Sequence, residues 1–165
     1  MAPFPIPNLR DTTTFATFCA IPWEYEQSPV YHVVQPHSGI IIPAVRWYLV
    51  AEITDITEII RLRLHVKDSN KHEFMIHAYT NDYGIGLSKR CQAGHTVVLP
   101  YAESHVFMDG TAGIRLEDGQ PIAVLPVSMK KLLAANDRFF GGKSKDMCNA
   151  CHLAVTSGVS SVHAS

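Results

Sequence analysis

The sequence predicts a mainly β fold, a five-stranded OB-like Greek-key barrel with a short N-terminal helix and a C-terminal helix. Apolar and polar residues alternate over residues 59–67, as in a strand with one buried face. A polar turn at residues 68–71 leads into a second alternating run at residues 73–80, which indicates a hairpin. A long strand before this hairpin, and further extended segments after a connecting segment, give the strand order of such a barrel.

Residues 1–44 are predicted to form an N-terminal extension with loops. Prolines at alternating positions near the start favour an extended chain, because proline fixes φ and lacks a backbone donor. Residues 11–19 fit a short helix, with Asp11 as its N-cap and with Phe15, Phe18 and Cys19 on one face. Pro22 would end that helix.

The barrel and the C-terminal helix are predicted within residues 45–140. Within this range, extended segments are expected at residues 46–54, 59–67, 73–80, 96–102, 113–116 and 122–127. The last of these is an edge strand, since prolines flank it. Ser128 then caps a helix that runs to about residue 138, with Met129, Leu132 and Leu133 as its apolar stripe. Residues 141–165 are predicted to form a tail.

Composition indicates one ordered domain and argues against a generally basic nucleic-acid binder. The chain has 165 residues, of which 47% are hydrophobic and 18% charged, and its net charge is −1. Tight non-specific binders of nucleic acid usually carry a basic surplus, so any such role must depend on a local patch. No signal peptide and no apolar run long enough for a membrane span are visible. We therefore expect an intracellular protein, cytoplasmic or nuclear.

The most specific chemical motif is Cys148-Asn149-Ala150-Cys151-His152. Two thiolates at this spacing can bind one tetrahedral zinc ion, and His163 could serve as a third ligand. A closed zinc site normally has four ligands, so the motif amounts to half a zinc knuckle. The same spacing suits covalent haem attachment, which normally requires an exported protein. The remaining alternatives are a pair of free thiols and a redox-active pair, which would normally open a helix after a strand in a thioredoxin-like unit.

A second candidate site is the outward face of the predicted hairpin. It consists of six side chains, Arg61, Arg63, His65 and Lys67 on one strand and His77 and Tyr79 on the next. In a barrel of this type, cations on that face can follow phosphates while aromatic rings stack on bases. The alternative is that these residues are the solvent-facing side of an ordinary amphipathic strand.

No pattern typical of catalysis is visible in the sequence. Most acidic residues fall at turns or strand ends, where turn chemistry explains them. No nucleophile is paired with a base in a recognisable elbow, and no phosphate-binding glycine loop is present. We therefore expect a protein that is not an enzyme.

Several short segments resemble MYND-type zinc-finger proteins, in which an N-terminal β domain precedes a helix and then the finger. They are Ile21-Pro22-Trp23-Glu24, Pro43-Ala44-Val45-Arg46-Trp47-Tyr48, Leu64-His65-Val66-Lys67-Asp68, Gly94-His95-Thr96-Val97-Val98-Leu99, Gly113-Ile114-Arg115 and Ser128-Met129-Lys130-Lys131-Leu132-Leu133. The resemblance implies that Cys148 and Cys151 correspond to the first ligand pair of a finger, with zinc as the cofactor. The remaining ligands of such a finger are absent from the sequence, so the resemblance implies a truncated finger.

Such fingers dock short peptide segments of partner proteins. The resemblance therefore implies a binding module for protein–protein interaction, with a partial zinc element. The alternative function is binding of single-stranded nucleic acid through the basic and aromatic face of the barrel.

Overall fold

The structure, a computed structural model, describes residues 6–141 of the chain. These residues form ten strands and two helices. The strands are β1 (Phe15–Ala16), β2 (His32–Val34), β3 (Ile41–Pro43), β4 (Tyr48–Glu58), β5 (Leu62–Asp68), β6 (Glu73–Tyr79), β7 (Thr96–Pro100), β8 (His105–Val106), β9 (Ala112–Glu117) and β10 (Ala123–Leu125). The helices are α1 (Ile85–Ser88) and α2 (Met129–Gly141).

The main sheet has the strand order of an OB-like fold. β4, β5 and β6 form an antiparallel meander, β7 pairs with β4 on its other side, and β9 pairs in parallel with β6. Strand β4 reaches both neighbours because it is 11 residues long and carries a bulge between Ile53 and Asp55, which bends it. The predicted mainly β, OB-like fold is confirmed. Within residues 6–141 the sheet is not closed, since β7 and β9 are not paired.

The core is built from the inward row of each strand. On β5 the side chains of Leu62, Leu64 and Val66 are buried, while the residues between them are not. The same alternation on the other strands buries Leu49, Ala51, Ile53, Ile76, Ala78, Val97, Leu99, Ile114 and Leu116. The predicted N-terminal extension adds Ala16, Ile21 and Tyr31 to this core.

The N-terminal helix predicted at residues 11–19 is wrong. Asp11 accepts hydrogen bonds from the backbone of Thr13 and the hydroxyl of Thr14, at 3.0 and 2.6 Å, and so closes a turn. The chain then extends, and Phe15–Ala16 pair in parallel with the start of β4. The extended conformation is favoured over a short helix here, because pairing with the sheet satisfies the same backbone groups and also buries Ala16.

The C-terminal helix is confirmed, and α2 is fixed to the rest of the molecule by polar contacts. The backbone N–H of Met129 donates to a carboxylate oxygen of Glu52 on β4 at 2.7 Å. Near the other end, Asn136 is buried and its side-chain oxygen accepts from the backbone N–H of Leu9 at 2.9 Å. These contacts hold the start of α2 beside β4 and its later part beside the N-terminal segment.

Asp68 joins the β5–β6 turn to the N-terminal segment. Its buried carboxylate accepts from the backbone N–H groups of Phe18, Asn70 and His72 at 2.9, 2.9 and 3.0 Å. Replacing it with asparagine keeps the shape but leaves at least one buried donor unsatisfied. We expect Asp68→Asn to lower the free energy of unfolding by about 1–3 kcal/mol in urea denaturation. Asp55→Asn is the control, because Asp55 is exposed. Equally small losses of stability in the two variants would contradict the role of Asp68 as a buried hydrogen-bond acceptor.

Candidate nucleic-acid interface

The outward row of β5 carries the charged side chains that the sequence predicts as a binding face. Arg63, His65 and Lys67 alternate with the buried residues of the strand, and Arg61 immediately precedes it. On β6 the outward row includes Met75, His77 and Tyr79, since Phe74, Ile76 and Ala78 face the core. The six residues predicted from the sequence therefore lie on one side of one hairpin, where His77 is buried, with 5% of its surface exposed.

The strand register adds a seventh residue to this face. Arg63 on β5 lies opposite His77 on β6, and His77 lies opposite Arg115 on β9. Three nitrogen-bearing side chains therefore cross the sheet in one row. We call Arg61, Arg63, His65, Lys67, His77, Tyr79 and Arg115 together the cationic face.

Two guanidinium groups lie against the ring of Tyr79. The Cζ atom of Arg61 is 3.8 Å from the ring centroid and that of Arg115 is 4.8 Å from it. Both distances are within the range of cation–π attraction, which holds the long arginine side chains in place. Tyr79 itself is 38% exposed. Planar guanidinium groups and aromatic rings are surfaces on which unpaired bases stack.

Phe107, from the turn between β8 and β9, packs against the aromatic side chains of this cluster. Its ring stacks on His77 with centroids 4.1 Å apart and on Tyr79 with centroids 6.3 Å apart. The ring fits because Gly113 has no side chain: a Cβ there would lie 2.9 Å from Phe107 and 2.4 Å from the backbone oxygen of Met75. Phe107 and Gly113 thus position the aromatic part of the cationic face.

Negative charge on the same sheet is unevenly distributed. Glu117 forms an ion pair with Arg115 at 2.6 Å, and Glu73 lies opposite Lys67 in the strand register. Among the described residues, no acidic side chain lies within 4.0 Å of Arg61 or Arg63 to form an ion pair. The cations least neutralised by the protein therefore lie at the Arg61 and Arg63 end of the face, next to Tyr79.

The surroundings of His77 disfavour its protonated form. Burial lowers its pKa from the ordinary value of 6.5, the charge of Arg63 lowers the pKa further, and Asp109 acts in the opposite direction. Its Nε2 atom has no hydrogen-bond partner within the described part of the chain, and the same holds for Nε of Arg115. Both nitrogen atoms are buried, so they lie beneath the surface of the cationic face and not on it.

The lowered pKa of His77 predicts how stability depends on pH. The unfolded chain binds a proton near pH 6.5 while the folded chain resists it, so stability is present above that pH and is lost as the pH falls through the folded pKa. We expect His77→Gln to show a smaller loss of stability than the unsubstituted chain between about pH 7.5 and about pH 5.5. Urea denaturation at both pH values measures this. The exposed His37→Gln is the control, and an unchanged loss in His77→Gln would contradict the prediction.

The residues predicted to bind zinc, Cys148, Cys151 and His163, lie outside the described residues, so zinc binding there stays a prediction. Between residues 6 and 141, no group of three or more histidine, cysteine, aspartate or glutamate side chains is placed to hold a metal ion. In the same part of the chain, no helix has the length and apolar character needed to cross a membrane.

Comparison with known proteins finds similarity only at the level of solved structures. No protein-family model matches the sequence, and no curated protein is found to be similar. The structure of Schizosaccharomyces pombe Pot1pC bound to single-stranded DNA has 11% identity and a TM-score of 0.43, and the match covers 66% of this chain and 99% of that one.

Two further solved structures also match part of this chain. The S. pombe Stn1–Ten1 complex has 17% identity and a TM-score of 0.41, and the match covers 68% of this chain and 83% of that one. Rim1, a mitochondrial single-stranded DNA-binding protein from S. cerevisiae, has 21% identity and a TM-score of 0.33, with 48% and 91% of the two chains covered.

The resemblance to MYND-type zinc-finger proteins is wrong, and so is the protein-interaction function that it implied. No family model of that or any other kind matches the chain. The described residues also contain no group that could act as a metal centre. The matching segments have a structural explanation instead: Trp47 is a core residue, Gly94 is in a turn with φ of 86°, and Gly113 allows close strand contact.

Proposed function

We propose that this chain is a non-enzymatic protein that binds single-stranded nucleic acid on the cationic face. The observation that carries the proposal is the arrangement around Tyr79. Arg61 and Arg115 lie against its ring, and the row of Arg63, His77 and Arg115 crosses the sheet beside it. Cations that can contact phosphates are therefore interleaved with flat groups that can stack on bases, which is the combination that single-stranded ligands require.

The chemistry of the face favours single strands over duplexes. In a duplex the bases are stacked on each other and paired, so Tyr79 and the guanidinium planes could contact only their edges. In a single strand the bases are free to stack on these groups. Within residues 6–141, α2 begins beside Glu52 on β4, and the helix that follows β6 is only four residues long. In this part of the chain Arg63 and Tyr79 are exposed, so a strand can reach them.

The charge of the face sets the expected salt dependence. Arg61, Arg63, Lys67 and Arg115 are four cations, one of which is paired with Glu117. Three to four phosphate contacts predict a slope of about −2 to −3 in a plot of log K against log salt concentration. This moderate slope agrees with a chain whose net charge is only −1 and whose basic residues form a local patch.

The proposed function also implies a location inside the cell, in the cytoplasm or nucleus, where nucleic acid is found.

A salt titration tests the proposal. The full chain is mixed with a fluorescently labelled single strand of about 16 nucleotides, and affinity is measured by anisotropy at several salt concentrations. We expect binding at low salt with the slope given above, and weaker binding of a duplex of the same sequence. No binding at low salt, or equal affinity for single strand and duplex, would overturn the proposal.

A further inference from the structure

An exposed apolar groove lies beyond the Tyr79 end of the cationic face. One wall is the β4–β5 turn with Ile59 and Ile60, and the other is formed by Tyr83 and Ile85 at the start of α1. These four side chains are exposed by 84, 73, 54 and 58%, respectively. Four large apolar residues that face solvent around one groove are more than the scattered exposure expected on a protein surface.

The local sequence holds this groove in a defined shape. The backbone N–H of Leu62 donates to the carbonyl of Tyr83 at 2.9 Å, which joins the two walls. The carboxylate of Asp82 accepts from the backbone N–H groups of Gly84 and Gly86 at 3.0 and 2.8 Å, and this fixes the turn that carries Tyr83. The groove is therefore formed before any ligand arrives.

Tyr83 is held in a conformation that tyrosine rarely adopts. Its φ is 55°, in the left-handed region, where a side chain of this size is strained. The surrounding hydrogen bonds maintain this strain although more than half of the ring remains exposed to solvent. Such strain occurs preferentially at sites that contact ligands.

Arg61 connects the groove to the cationic face. Its side chain lines the groove, and its guanidinium group lies 3.8 Å from the ring centroid of Tyr79. A phosphate bound by Arg61 would therefore leave the attached nucleotide at the mouth of the groove. The groove has a volume of about 190 Å³. That is smaller than a pocket for a drug-sized ligand and suits a single planar ring.

We propose that this groove binds one unstacked base of the nucleic-acid strand, with the base lying against Tyr83 and Ile60 and its phosphate on Arg61. This inference rests on the proposed function and extends the binding site by one nucleotide. The rim carries Glu58, whose carboxylate can accept a hydrogen bond from an exocyclic amino group, and Ser88. The walls are otherwise apolar, so stacking and burial supply most of the binding.

The test combines single-base removal with substitutions in the groove. An oligonucleotide close to the length of the binding site is made in versions that each lack one base but keep the backbone. Their affinities are measured for the unsubstituted chain, for Tyr83→Asn and for Ile60→Ala. Asparagine is chosen because it tolerates a left-handed backbone, so the ring is removed without adding strain. Ile40→Ala is the matched control, since Ile40 is 57% exposed but lies in the β2–β3 hairpin.

We expect one position at which base removal lowers the affinity of the unsubstituted chain by about 5- to 10-fold. Tyr83→Asn and Ile60→Ala should lower affinity for the intact strand and abolish the sensitivity to that base, while Ile40→Ala changes neither. If the strand binds with the expected salt slope but the groove variants keep the full sensitivity, the groove inference fails and the proposed function stands. If no strand binds to the unsubstituted chain, both fail.

Discussion

Replacing Arg61, Arg63 and Lys67 with glutamine is expected to lower the affinity for a single-stranded oligonucleotide by about 100-fold at about 0.1 M salt. Each lost phosphate contact removes the release of about 0.7 counterions, so the log–log salt slope should become less steep by about 2. Glutamine removes the positive charge and keeps a polar, although shorter, side chain. The substitution at Arg61 also removes its contact with Tyr79, which adds to the loss.

A second triple variant controls for net charge. Arg46, Lys130 and Lys131 are exposed and lie outside the cationic face, the two lysines on α2. Replacing them with glutamine changes the net charge by the same amount but removes no proposed contact. We expect less than a threefold effect on affinity and an unchanged salt slope. Equal losses in the two triple variants would show that binding depends on overall charge and not on this face.

Gly84→Ala is expected to lower the free energy of unfolding by about 2–4 kcal/mol. Gly84 is buried with φ of 85°, and a Cβ there would lie 2.6 Å from the Cβ of Leu62 and 2.7 Å from that of Ala78. Both neighbours are core residues on β5 and β6, so the loop would have to move away from the sheet. Urea denaturation measures the effect.

Gly94→Ala is the matched control for this substitution. Gly94 has nearly the same φ, 86°, but a Cβ there would meet no atom within 4 Å. Alanine at this position therefore adds only the strain of the left-handed backbone, about 1 kcal/mol. The difference between the two variants measures the overlap with Leu62 and Ala78. If Gly84→Ala were no more destabilising than Gly94→Ala, the close contact between loop and sheet would be contradicted.

The part of the cationic face that lies on β5 and β6 could be predicted from the sequence because it is local. Period-two alternation assigns Arg61, Arg63, His65, Lys67, His77 and Tyr79 to one side of two strands. The short turn between those strands brings them together. The C-terminal helix was predictable for a similar reason, since its cap at Ser128 and its apolar stripe follow one another directly.

Contacts between distant parts of the chain could not be predicted in this way. Arg115 joins the cationic face only because β9 pairs in parallel with β6, and Phe107 reaches it from the loop before β9. No local pattern encodes that pairing; the alternation around Arg115 indicated a strand but not its neighbour. At Phe15 and Ala16 the local pattern predicted the wrong element. The helical spacing of the apolar residues was outweighed by pairing of these two residues with β4.

The central claim is that single-stranded nucleic acid lies across β5, β6 and β9. A titration of the isotopically labelled full chain with an oligonucleotide, followed by amide chemical shifts, tests it most directly. We predict progressive shifts concentrated at residues 61–67, 75–79 and 113–117, with little change on α2. Shifts confined to α2 or to the β2–β3 hairpin, which exposes Val33 and Ile41, would contradict the claim, as would no shift at all.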